Sequence, residues 1–219
     1  MGCISIDRLW LLVLVTAFFL PMRGDAVGNA ELGGSSAGIS GVWSDACSCA
    51  IPCPCWETGR ANVRHCLNVQ MFQPKTDDSS NGEATFVLIG NSEGYWAPSK
   101  YTLYVSNSAD ALLVSKLSDF FGNYYGVGPE DLRRVAIKVE TSSRMQRLEI
   151  PGVLHYSIES LPKTALSESI SNHLYAFLLK PKQWKTHTLT YRSEKGTVTR
   201  YRGTSSLTAQ FQIRPNTFK

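Results

Sequence analysis

The chain has 219 residues, 43% hydrophobic and 18% charged, with a net charge of +4 and six cysteines. Once an N-terminal segment is set aside, that length allows one domain with a sizeable core. So modest a positive charge argues against nucleic acid as a partner.

Residues 1–8 are a short polar start, and Leu9–Leu20 is an unbroken apolar run closed by Pro21. Small residues follow as GDAVGNA. This is the layout of a secretory signal peptide, and the run is too short for the ~20 residues that a membrane-spanning helix needs. A signal peptide is expected over residues 1–26, with export to the periplasm or beyond the cell. An uncleaved anchor is the alternative. Residues 27–41 are small and polar and are expected to form a flexible linker ahead of a domain at 42–214.

Four cysteines crowd into CSCAIPCPCW, at Cys47, Cys49, Cys53 and Cys55, and Cys66 follows. With Cys3 removed by cleavage, five remain, an odd number that cannot pair fully within one chain. Pro52 and Pro54 lack N–H groups and favour extended backbone, which argues against helix here. On an extended chain residues two apart point the same way, with Cα atoms ~6.5–7 Å apart. That is at or beyond the ~4.4–6.8 Å span of a disulfide. Two thiolates on one soft ion tolerate it better.

Thiolates select Cu(I), Zn²⁺ or iron–sulfur clusters. Structural zinc and iron–sulfur sites prefer wider spacings than C-x-C. Copper(I) is therefore the expected ion and zinc the second, with Cys47, Cys49, Cys53, Cys55 and Cys66 as ligands. His65, beside Cys66, could add a nitrogen. Two other readings stay open: structural disulfides with one spare thiol, and thiol redox chemistry.

Downstream, Leu67–Phe72, Ala84–Ile89 and Ser99–Ser106 are expected strands, with a polar loop at 73–83. A helix is expected after caps at Asn107 and Ser108. Its apolar stripe is Leu113, Leu117, Phe120 and Phe121, and Gly122 ends it. Residues 129–134 suggest one helical turn. RVAIKVET, QRLEI, VLHYSIESL, KTHTLTYRS, TVTRYRG and SLTAQFQI alternate as strands, while 166–177 is ambiguous between helix and strand. The expected fold is one α+β domain, mainly antiparallel sheet with one well-defined helix.

Residues 180–219 carry nine Lys/Arg and one Asp/Glu, while 27–110 carry four and eight. The basic residues alternate with apolar ones, as on the solvated face of strands. G-x-S-x-G, H-E-x-x-H, a P-loop and G-x-G-x-x-G before a helix are all missing, so no catalytic residue is assigned. His155, His173 and His187 lack ligand spacing.

The stretch CSCAIPCPCW…RHCLNV resembles the C-x-C-x3-C-P-C motif, with one further cysteine, of the bacterial family called domain of unknown function 1326. YTLYVSNSADALLVSKLSDFF and TRYRGTSSLTAQFQI are similar to that family's strand–helix and closing segments. The likeness would cover residues 41–213. It implies one compact domain without established catalysis, a metal role, and a membrane metal-handling protein as partner.

Overall fold

The computed structural model describes residues 38–55, 63, 65–75, 84–93, 100–161 and 177–214. The chain divides into two units, Met1–Ser35 and Ser36–Lys219. The first, with the expected signal peptide and most of the expected linker, lies outside the described residues. So do 76–83 of the expected polar loop and 166–176 of the ambiguous segment. Among the described residues no helix is long and apolar enough to cross a membrane.

Eleven strands form one sheet. They are β1 (Ile39–Cys47), β2 (His65–Pro74), β3 (Phe86–Glu93), β4 (Lys100–Ser106), β5 (Leu132–Val135), β6 (Lys138–Thr141), β7 (Met145–Ile150), β8 (Leu154–Ser160), β9 (Leu178–Arg192), β10 (Val198–Tyr201) and β11 (Ser205–Ile213). The path runs β5-β4-β3-β2-β1-β11-β9-β8-β7-β6, and β10 pairs with β9 off that path. β1 begins at Ile39, ahead of the expected domain start at residue 42.

The path begins at β5 and ends at β6, yet Ala136 and Ile137 alone separate these two strands in the chain. A residue spans at most ~3.6 Å, so the two ends of the sheet must lie close together. The sheet therefore curls into a half-barrel.

This corrects the expected fold class. The described domain is mostly β, one large curled sheet, rather than an α+β arrangement on mainly antiparallel sheet. The sheet is also mixed, because β5 runs parallel to β4. Parallel neighbours need a crossover connection, and the helix between them supplies it. Alternation alone does not reveal strand direction. It also merged β5 and β6 into the single run RVAIKVET, although they occupy opposite ends of the sheet.

The helix α1 spans Ala111–Tyr125 and buries Leu117, Phe120 and Phe121. Asp110, not Asn107 or Ser108, caps it. Its Oδ1 accepts from the backbone N–H of Leu112 at 2.8 Å and of Leu113 at 3.1 Å. Gly122 lies inside the helix, and Gly126 ends it at φ 69°, a conformation that glycine adopts without a Cβ clash. The expected single turn is a 3₁₀ turn at Pro129–Asp131, and Leu132 already opens β5.

Period-two alternation sends β2 side chains to two different cores. Leu67, Val69 and Met71 join Val87, Ile89, Leu148, Tyr156 and Leu189, drawn from both arms of the curl. Phe72 faces the other way and packs with α1. Its ring lies 5.1–6.2 Å from the rings of Phe120, Phe121, Phe177 and Phe211. This aromatic core also contains Cys47, Cys49 and Cys53, so the thiols sit at one end of a rigid hydrophobic layer.

Candidate metal centre

The cysteines come from two adjacent strands and the segment that joins them. Cys47 ends β1 opposite Asn68 of β2, and Cys66 lies near the start of β2. The Ser48 N–H donates to the Leu67 carbonyl at 2.9 Å, and the Leu67 N–H donates to Ser48 Oγ at 3.0 Å. These bonds prolong the ladder past Cys47. The Ser205 N–H then donates to the Cys49 carbonyl at 2.9 Å, fastening the turn to β11. Backbone hydrogen bonds thus fix Cys47, Cys49 and Cys66 before any ion is considered.

The proline segment differs from the extended backbone expected of it. Pro54 and Cys55 have helical backbone. Proline is tolerated at the first helical position, where its missing N–H would have no partner in the helix. The prolines therefore do not exclude helical backbone at Cys55.

All five thiols converge. Cys47 Sγ lies 3.7 Å from Cys66 Sγ, and Cys49 Sγ lies 3.7 Å from Cys66 Sγ and 3.9 Å from Cys55 Sγ. Cys47, Cys49 and Cys53 have their sulfurs within 4.8 Å of one another, and so do Cys49, Cys55 and Cys66. A tetrahedral site with Zn–S bonds of ~2.3 Å has sulfur–sulfur edges of ~3.8 Å. The observed separations are those of sulfurs around a common ion. All five are free thiols. Cys47, Cys49 and Cys53 are buried, whereas Cys55 and Cys66 are half-buried. The cluster could hold a metal ion.

So many thiols in so small a space cannot ionise independently. Cys49 is the hub. Hydrogen bonding from Cys47 above all, then Cys53, Cys55 and Cys66, holds its thiol far below the ordinary range. Cys47 and Cys55 are pushed well up, mainly because each keeps its proton to donate to Cys49. In the metal-free centre Cys49 is thus the thiol most disposed to ionise, with Cys47 and Cys55 holding their protons. The backbone N–H of Cys49 also points at Cys47 Sγ, at 3.4 Å.

A buried polar chain underlies the thiols. Asp45 precedes Cys47 by two residues and shares its face of β1. Burial lifts its carboxyl to about 8, although the Leu207 N–H donates to Oδ1 at 2.6 Å and Asn68 adds a hydrogen bond. Gln70 Nε2 donates to Asn68 Oδ1 at 2.8 Å. Gln70 Oε1 accepts from Tyr125 Oη at 2.8 Å and from Trp43 Nε1 at 3.2 Å. Tyr201 of β10 hydrogen-bonds Ser48, and burial pushes its phenol up.

The structure therefore brings together every cysteine expected as a ligand. His65 opens β2, but its side chain lies outside the described residues. His155 and His187 stand exposed on β8 and β9, away from ligand groupings, and His173 is outside the described residues. Asp45, Asn68, Gln70 and Tyr201 were not anticipated. The available signal was their spacing, since Asp45, Asn68 and Gln70 fall at even offsets from Cys47 or Cys66 and so share the thiol face.

No protein-family model matches the chain, and no curated protein matches it. Among solved structures it is similar to the enduracididine biosynthesis enzyme MppR complexed with the condensation product of pyruvate and imidazole 4-carboxaldehyde. The identity is 11%, over 88% of this chain and 95% of that one, with a TM-score of 0.35. The same enzyme complexed with pyruvate gives 10% identity over 80% and 86% of the two chains, with a TM-score of 0.32. At these scores the likeness carries no inference about fold or chemistry.

Proposed function

We propose that this chain is an exported protein that binds a soft metal ion, Cu(I), through Cys47, Cys49, Cys53, Cys55 and Cys66, and captures or delivers it. The convergence of five free thiols, four of them in 3.7–3.9 Å contacts and Cys53 within 4.8 Å of Cys47 and Cys49, carries the reading. Copper(I) is favoured over zinc by the donors. They are thiolates alone, in groups of three, whereas a closed zinc site takes four ligands in a tetrahedron. The burial of Cys47, Cys49 and Cys53 favours a soft, weakly hydrated ion over a hard one. The signal-like N-terminus supports export, and the resemblance to domain of unknown function 1326 supports a metal role beside a membrane metal-handling partner. No residue is assigned a catalytic part.

The test is to count thiols in the mature protein isolated without reductant, then to titrate the reduced protein with Cu(I) against a chromophoric chelator. The expected result is Cu(I) retained in competition, with all five thiols protected from alkylation when loaded. One free thiol in the isolate, and no retention of Cu(I) after reduction, would establish the disulfide-stapled alternative instead. N-terminal sequencing should find cleavage between Ala26 and Glu31, and an intact Met1 would defeat export by a cleaved signal.

A further inference from the structure

The five sulfurs have an internal order that a one-ion site does not use. Cys49 Sγ lies 3.7 Å from Cys66 Sγ and 3.9 Å from Cys55 Sγ, and within 4.8 Å of Cys47 and Cys53 Sγ. Those four form a ring around it: Cys47 beside Cys66 at 3.7 Å, Cys66 beside Cys55, Cys55 beside Cys53, and Cys53 beside Cys47. The sulfurs thus make a pyramid with Cys49 at its apex. Two opposite faces, Cys47–Cys49–Cys53 and Cys49–Cys55–Cys66, together contain every thiol, and they share the apex alone.

We infer that the centre holds two Cu(I) ions, one on each of these faces, bridged by the Cys49 thiolate. The inference rests on the metal-binding reading above and extends it to stoichiometry and exchange. Two three-coordinate ions that share one ligand need five sulfurs, which is the number present. One ion with at most four ligands would leave a thiol idle within contact distance of the rest. A deprotonated sulfur has lone pairs enough to bridge two ions, and the residue in contact with all the others is the one placed to do so. Loading involves no electron transfer: every thiol that still carries a proton releases it to solvent on binding, and Cys49 bonds both ions, which makes six Cu–S bonds from five sulfurs.

The two faces differ in access. Cys47, Cys49 and Cys53 are all buried, whereas Cys55 and Cys66 are half-buried. The outer ion, held by Cys49, Cys55 and Cys66, is the one that an incoming ligand can reach. The inner ion, held by buried thiols alone, leaves slowly. An acceptor protein would take the outer ion by binding that copper with its own thiolate and displacing Cys55 or Cys66, while the inner one stabilises the loop.

The experiment uses the reduced mature protein, loaded with Cu(I) without oxygen and weighed by native mass spectrometry, with circular dichroism to check folding of each variant. The wild type is expected to hold two copper ions per chain. Cys55→Ser should hold one, Cys53→Ser should hold one, and Cys49→Ser, which strips a ligand from both faces, should lose both to a chelator that leaves the wild type loaded. Chelator challenge of the wild type should release copper in a fast and a slow phase of equal size. Cys55→Ser should lack the fast phase. A wild type that stops at one copper, or a Cys55→Ser protein that still holds two, would overturn the dinuclear centre while leaving thiolate binding intact. A wild type that retains no copper would refute the metal reading itself. Cys55 is half-buried and outside the aromatic core, so its variant keeps the test decisive if Cys53→Ser does not fold.

Discussion

Replacing Asp45 by Asn should stabilise the metal-free protein at neutral pH, although it alters a fully buried, hydrogen-bonded side chain. Burial holds the carboxyl at about 8, against 3.8 for the free group. Folding at pH 7 therefore forces a proton onto a group that the unfolded chain leaves ionised. Each pKa unit corresponds to ~1.36 kcal/mol, and the relevant interval runs from 3.8 to the working pH, so the cost is about 4 kcal/mol. The sign follows from a folded pKa that is raised. The carboxyl's contribution is most favourable below pH 3.8 and is lost progressively as pH rises toward 8. An Asn side chain pays no such cost, and its oxygen can still accept from the Leu207 N–H. Allowing for the carboxamide's own desolvation, the gain is about 2–4 kcal/mol at pH 7 and near zero at pH 3.5. Urea unfolding of both proteins, reduced and metal-free, measures it. The Cys49 charge, which adds to the carboxyl's shift, is part of the cost that Asn removes. If Asp45→Asn destabilises at pH 7, or if the gap between the proteins is the same at pH 4 and pH 8, the account of a neutral buried acid beneath the thiols is wrong.

Phe72→Ala should cost about 3–5 kcal/mol in the same assay, because it opens a cavity among four aromatic rings. A loss under ~1 kcal/mol would mean that this aromatic layer is not close-packed. Asp110→Ala should cost about 1 kcal/mol by leaving two helix N–H groups without their acceptor. No change in the unfolding midpoint would return the cap to Asn107 or Ser108. Cu(I) affinity should rise with pH from 6 to 8, since Cys47 and Cys55 hold their protons tightly and each must be displaced. Chelator competition across that range checks it, and a flat profile would exclude these two thiols as ligands.

The cysteine cluster was legible as a candidate ligand set because cysteine spacing is a local property. Its three-dimensional grouping was not. Cys66 meets Cys47 only because β2 pairs with β1 in a register that sets Cys47 against Asn68, and nothing local to either strand specifies that pairing. Asp45 was passed over for a related reason. An acid in an alternating strand reads as solvent-facing, yet β1 is covered on both faces, with Ser44 and Ala46 buried on one and Asp45 on the other. The helix was visible from its stripe, but its ends were displaced. Three candidate caps stand within four residues, and only the backbone geometry selects Asp110. The parallel pairing of β4 with β5 left no mark in the alternation, because strand direction is a property of the crossover and not of the strand.

The most direct test of thiolate metal binding is the X-ray absorption spectrum of the reduced mature protein at the copper edge after Cu(I) loading. The account predicts a first shell of sulfur alone, three per copper, with the edge shape of three-coordinate Cu(I). A shell of nitrogen and oxygen, or copper that washes away before the measurement while all five thiols remain free, would contradict it.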